Sequence, residues 1–210
     1  MIWSRLLFAA LFEYLGVHFI QKKRPKRKKL WLALLGVLVL ALVVVSEIFP
    51  PENRFVTFST PEDAIQYRSG KKKDYLLRVD GQETTLLFYR EKDDSTLTIE
   101  TAEKRKDGWK MANGLGSFPF ASGFIDRGEN HPLLTTFIFE GSDAYLELTA
   151  TEEDKVTFSD NRNSDFQQLD DKWIAYVGTA DGYVLTVNGK KYMPVIEKEF
   201  VGYYVTWEEI

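Results

Sequence analysis

Residues Leu30 to Val45 form a run of sixteen without a charged, hydroxyl or amide side chain, and the eight positions before them, Lys22 to Lys29, carry seven basic residues. Lipid offers a backbone amide no partner except the helix's own carbonyls, so a run of this kind has few folding outcomes besides a helix. From Leu30 to Phe49 such a helix would be about 30 Å long, the thickness of a bilayer's hydrocarbon core. The sequence therefore predicts a transmembrane anchor over residues 30–49. Lys22, Lys23, Arg24, Lys26, Arg27, Lys28 and Lys29 in segment 22–29 are its membrane-orienting residues, which favour the cytoplasmic side and suit contact with anionic lipid. A single pass with the N-terminus cytoplasmic and the C-terminal domain outside follows.

Two alternatives attach to this end of the chain. Val44-Val45-Ser46 before Glu47 offers a signal-peptide cut, but the apolar core is longer than the usual signal peptide requires, which favours an uncleaved anchor. Segment 1–21 is rich in Leu, Phe and Ala, yet Arg5, Glu13 and His18 interrupt it. Each such residue at bilayer depth costs on the order of 2.5–3.5 kcal/mol. It reads as a second span, giving a two-span hairpin, or as an interfacial helix with Trp3, Phe8, Phe12 and Phe19 at the headgroup boundary. An over-extended translation start is the third reading.

Charge divides the chain. Residues 1–49 carry a balance of +6 and residues 50–210 one of −10, which the overall −4 conceals. An acidic domain repels phosphate backbones, so nucleic acid is excluded as a partner of the larger part. Cysteine is absent, which removes disulfides and thiolate metal ligands and leaves stability to packing. With no Asn-x-Ser/Thr sequon either, the composition leans toward a bacterial envelope. About 160 residues suffice for one domain of ordinary size or two small lobes.

Residues 50–210 read as antiparallel sheet with one short helix, mainly β, sandwich-like or a two-lobed meander. Ser59 or Thr60 can cap a helix that Pro61 opens and Glu62 and Asp63 favour electrostatically, ending between Tyr67 and Gly70. Strands are expected at 55–58, 75–79, 84–89, 97–102 and 109–112, then at 135–139, 144–149, 155–158, 173–178, 183–187, 191–195 and 201–207. Asp80-Gly81, Asp107-Gly108, Asp181-Gly182 and Asn188-Gly189 supply hairpin turns through positive φ. The glycine-containing stretch 113–128 separates the two runs of strands, predicting two sheets or lobes.

Several of these segments together resemble a group of uncharacterised membrane-anchored extracytoplasmic proteins of Gram-positive bacteria related to bacilli and clostridia. The resemblance rests on Thr60-Pro61-Glu62-Asp63-Ala64, Val79-Asp80-Gly81 leading to Leu87-Phe88-Tyr89, and Asp107-Gly108-Trp109-Lys110. Asp181-Gly182-Tyr183 and Asn188-Gly189-Lys190 are similar to that group's closing hairpin, so the likeness covers roughly residues 55–195. It implies a cell-envelope β domain and carries no catalytic residue across.

Catalytic constellations are sparse. The histidines are His18 and His131, too few outside the anchor for a zinc site, and no nucleophile elbow accompanies His131. Glu152-Glu153-Asp154, Asp170-Asp171 and Glu208-Glu209 are dense acids, but neighbours in a strand face opposite ways and those in turns are solvated. Asp160 to Asp165 resembles a calcium loop but places Phe166 where glycine is required, so a polar turn is expected. Gly114-Leu115-Gly116-Ser117 lacks the lysine of a phosphate loop. With Phe118, Phe120 and Phe124 it reads instead as a flexible aromatic-lined connection, a candidate binding lip or core packing.

These observations predict a membrane-anchored, non-enzymatic envelope protein, without cofactor or metal, whose acidic domain contacts a surface protein partner. A wall-carbohydrate module, binding or cleaving glycan, is the alternative. A small regulatory subunit that contacts a transporter through its membrane helix is a third.

Overall fold

In the computed structural model, residues 2–23, 27–48, 51–91, 96–111, 119–126, 132–150, 156–198 and 203–210 are described, and they are mainly β. Two long helices come first, α1 (Ile2–Lys23) and α2 (Lys28–Ile48), packed against each other. Among the described residues one helical stretch, Lys28–Ser46, is long and apolar enough to cross a membrane or serve as a signal sequence. It starts two residues earlier than the apolar run because Lys28 and Lys29 occupy the first turn of α2.

The short helix α3 (Pro61–Ser69) forms where expected. Thr60 is its cap, with the hydroxyl accepting from the Asp63 N–H at 3.1 Å, and Gly70 ends it in the left-handed conformation at φ 69°.

Two sheets follow. Sheet A orders β1 (Tyr75–Asp80), β2 (Thr84–Arg90), β3 (Leu97–Arg105) and β4 (Gly108–Met111) as an antiparallel meander. Among the described residues sheet B has nine strands: β5 (Phe120–Ile125), β6 (Leu133–Glu140), β7 (Asp143–Thr149), β8 (Phe158–Asp160), β9 (Gln167–Leu169), β10 (Lys172–Gly178), β11 (Leu185–Val187), β12 (Lys190–Lys198) and β13 (Tyr203–Glu209). Their spatial order is β8-β11-β12-β13-β5-β6-β7-β10-β9. Two antiparallel sets, β8-β11-β12-β13 and β5-β6-β7-β10-β9, meet at the parallel pair β13 and β5, where Tyr203 faces Ala121 and Tyr204 faces Ser122. The terminal strands of sheet B, β8 and β9, are neighbours in sequence, and the sheet curls until Phe158 of β8 meets Trp173 of β10 with ring centroids 5.3 Å apart.

Layering explains the side-chain pattern. β2 is buried on both faces: Leu86 and Phe88 pack on Ile138, Tyr145 and Ile174 of sheet B, while Leu87 packs under Ala64 and Ile65 of α3. Sheet B has a second core inside its curl, where Leu146 and Leu148 of β7 join Phe137, Tyr183, Leu185 and Val205. Each fully buried apolar side chain contributes about 1.5–3 kcal/mol relative to exposure.

Three expectations change. Segment 55–58 contributes one isolated bridge, in which Phe58 and Trp109 exchange backbone hydrogen bonds at 2.9 and 2.8 Å, and side chains hold the chain before it. The Asn53 amide bonds the backbone of Met111 at 2.7 and 3.1 Å, and the Lys110 ammonium binds the carbonyls of Asn53 and Val56. Segment 120–125, read as part of a flexible connection, is β5 near the middle of sheet B. Its inward positions are Ala121, Gly123 and Ile125, and at Gly123 the close approach of Val205 on β13 leaves no room for a side chain. Strand β9, with the pattern Gln-Gln-Leu, carried no apolar alternation to announce it.

Gly123 makes the close join of β5 to β13, since a Cβ there would collide with the Val205 carbonyl. Gly123→Ala is expected to cost about 3 kcal/mol or more, lowering the thermal midpoint of the full chain in detergent followed by tryptophan fluorescence. Gly36→Ala, with nothing within 4 Å, should leave the midpoint unchanged.

Candidate functional site

The two sheets are fastened at one carboxylate. Asp143 begins β7 and is 2 % exposed. Its Oδ2 accepts from the backbone N–H groups of Glu83 and Thr84 and from the Thr84 hydroxyl, each at 2.8 Å. Its Oδ1 accepts from the Tyr176 hydroxyl at 3.1 Å. The Thr84 proton is thereby used, so the 2.8 Å contact between Thr84 and Tyr145 has the tyrosine as donor. Burial, the largest cause, raises the pKa of both Tyr145 and Tyr176, and the Asp143 charge adds to it, so both hydroxyls keep their protons. Gly81 lets the β1–β2 turn reach this group, because a Cβ there would collide with the Tyr145 hydroxyl and the Asp143 carboxylate. The glycine is thus required by close approach, not by the positive φ that its Asp-Gly context predicts.

Seating that turn sets β1 beside sheet B and opens a cleft of about 640 Å³ between them. Arg78, Val79 and Asp80 of β1 form one side, the β8–β9 turn with Arg162, Ser164 and Asp165 another, and Tyr176 to Gly178 of β10 a third. The turn is held by its own polar groups. The Asp160 carboxylate accepts from the N–H groups of Arg162 and Ser164, and Asn161 brackets Gly182 and Val184. The Arg162 guanidinium donates to the carbonyls of Val177, Thr179 and Asp181 and lies 5.5 Å from the Tyr183 ring centroid. Segment 160–165 is therefore a polar turn in which Asp160 and Asn161 bind backbone groups while Asp165 is exposed toward the cleft, and among the described residues no group of three His, Asp or Glu could hold a metal ion.

The other side of the cleft is a sheet edge. Among the described residues β1 pairs with β2 alone. The Gly81 N–H to Thr84 carbonyl bond identifies a bonded pair, and alternation along the ladder then turns the backbone of Val79 toward β2 and that of Arg78 and Asp80 toward the cleft. The Arg78 side chain binds Asp80 at 2.9 Å and Glu62 at 3.3 Å. Burial pulls the Asp80 pKa upward, but the Arg78 and Thr85 hydrogen bonds outweigh it and hold the carboxyl below its ordinary range. The arrangement can receive an extended backbone.

Apart from the 160–165 turn, the residues singled out by sequence lie elsewhere. Lys22 and Lys23 end α1, Arg27 precedes α2, and Lys28 and Lys29 begin it, while Arg24 and Lys26 fall outside the described residues. Phe120 and Phe124 share the outer face of β5, 42 % and 62 % exposed, on the side where Ser122 meets Thr136 at 3.1 Å. Phe118, Gly114 to Ser117, His131 and Glu152 to Asp154 also fall outside the described residues. Asp170 pairs with Arg90, and Glu209 with Lys190 at 3.1 Å. Sequence reasoning did not find Asp143, Arg78 or Arg162; Gly141-Ser142 before Asp143 reads as an ordinary turn, and partners 59 residues away leave no local signal. Comparisons with protein-family models, curated proteins and solved structures return no match to this chain.

One further acid lies at the seam. Glu140, at the end of β6 opposite Asp143, has its pKa pushed up to about 7 by burial, with the charge of Glu103 on β3 adding to it. A carboxyl that binds its proton more tightly when folded stabilises the fold below its unfolded value near 4.5 and loses that contribution as pH rises through 7. Stability should therefore fall between pH 5 and 8, by about 1 kcal/mol once solvent screening of this half-buried group is allowed for. Glu140→Gln is expected to flatten that slope in thermal melts.

Proposed function

We propose that this is a membrane-anchored envelope protein of binding or accessory type, whose acidic β domain holds an extended segment of a surface protein partner along the β1 edge. One observation carries the reading: the outward backbone groups of Arg78 and Asp80 line a cleft of about 640 Å³. A sheet edge binds an extended peptide through main-chain hydrogen bonds, and the neighbouring pockets select alternate side chains. Here the polar rim of Arg78, Asp165 and Ser164 and the ring of Tyr176 would do the selecting. The anchor is α2, with Lys22, Lys23, Arg27, Lys28 and Lys29 on the cytoplasmic side by the positive-inside rule and the β domain outside.

A wall-glycan module is the second reading. It draws on the two exposed rings of Phe120 and Phe124 on one strand face, which could stack on sugars. The partner reading is favoured because the cleft offers backbone donors and acceptors in a fixed register.

Two experiments address this. Alkaline phosphatase fused after Ile210 is expected to be active; an inactive fusion, with a cytoplasmic reporter active in its place, would reverse the orientation. In-cell crosslinking of the tagged full chain should capture a near-equimolar surface protein. Arg78→Pro, which removes an outward N–H, should reduce that capture at least tenfold while Arg78→Ala retains it. Equal loss in both variants would assign the contact to the side chain, and retention in both would refute the edge.

A further inference from the structure

We propose that the crevice between α1 and α2 is a binding site for one anionic phospholipid, with the headgroup at Lys23 and an acyl chain laid between the helices. The inference rests on α2 being a membrane anchor. Gly16 brings the helices together: a Cβ there would meet the Leu35 methyl carbons at 2.7 and 2.8 Å. Around that contact Phe19 and Ile20 of α1 and Trp31, Leu34 and Leu38 of α2 leave a crevice of about 460 Å³. That volume falls in the range of about 300–1,000 Å³ typical of small-molecule sites.

The walls and the mouth differ in chemistry. Phe19, Ile20, Leu34 and Leu38 present hydrocarbon and ring faces, so in a bilayer the crevice takes a lipid tail and has no polar wall to hold water. Among the described residues the one charged side chain lining it is Lys23 at the end of α1, with its ammonium 5.9 Å from the Phe19 ring centroid. Lys22, Arg27, Lys28 and Lys29 flank the same turn. An occupant must therefore join an apolar chain to an uncompensated anion. Phosphatidylglycerol meets both conditions, whereas phosphatidylcholine brings the same tail with its phosphate already neutralised. Basic residues attract anionic lipid at surfaces generally. The crevice adds a defined stoichiometry of one and dependence on wall shape.

The test uses the purified full chain in detergent, titrated with phosphatidylglycerol and phosphatidylcholine of identical acyl chains and read by native mass spectrometry. One phosphatidylglycerol per chain is expected to be retained roughly five- to tenfold over phosphatidylcholine. Lys23→Gln should bring the two lipids near parity, and Ile20→Trp, which fills the crevice, should lower retention of both. Gly36→Ala, facing open space, should change neither. Equal retention of the two lipids by the unaltered chain, or no effect of Lys23→Gln, would overturn the site. Carbonate extraction of cell membranes separates this from failure of the anchor. A chain released to the soluble fraction refutes the anchor itself, and a membrane-retained chain without lipid preference refutes only the crevice.

Discussion

The Asp143 carboxylate fixes the relation between the two sheets, and the cleft exists because of it. Four donors converge on a group that is 2 % exposed, two of them backbone amides of the β1–β2 turn and one the hydroxyl of a tyrosine on β10. Apolar contact between Leu86, Phe88, Ile138 and Ile174 supplies attraction between the sheets but little direction. Hydrogen bonds to a buried charge supply direction, because any sliding of sheet A leaves donors unpaired at about 1–3 kcal/mol each. The apolar interface thus holds the layers together while the carboxylate sets their register. β1 comes to rest beside the β8–β9 turn and not elsewhere on sheet B.

The two edges of sheet A are treated differently. β4 is covered by the chain entering the domain, through the Phe58 bridge and the bonds of Asn53 and Lys110. β1 is left uncovered by any described strand, but carries the charged pair Arg78 and Asp80. Charges on an edge discourage indiscriminate strand pairing. An edge that is both accessible and guarded suits a selective partner better than it suits self-association. The proposed lipid crevice belongs to the other part of the chain and shares no residue with this seam.

Local rules made much of this fold legible before any coordinates. Thr60, Pro61 and Gly70 bracket α3, and Asn188-Gly189 adopts φ 49° and 84° as a tight hairpin turn demands. The division into two sheets was read from the break at 113–128, and the structure places β1 to β4 before it and β6 to β13 after it, with β5 inside the stretch and joined to the second sheet. Misreadings arose where tertiary contact reversed a local signal. β5 turns Phe120 and Phe124 outward and Ala121, Gly123 and Ile125 inward, and Val205 comes so near Gly123 that no larger residue fits there. Asp143 and Arg162 each bind groups far off in sequence or spread over a loop, and spacing along a chain records neither. The basic residues around the α1–α2 turn were plain from composition, whereas the crevice they flank depends on Gly16 meeting Leu35.

The clamp of Asn53 on Met111 has a mechanical consequence. Four residues separate Ile48, the end of α2, from Asn53, so the chain between them can reach no more than about 18 Å. With α2 as the proposed anchor, the β domain is moored on a short stay. It cannot range as widely as it would on a long flexible linker, and it samples only a thin shell of space beside its mooring. Within that shell the local concentration of the cleft is high and outside it is zero. A partner presented at the same surface is favoured by geometry before any contact forms, and one held tens of ångströms away is excluded however well it fits.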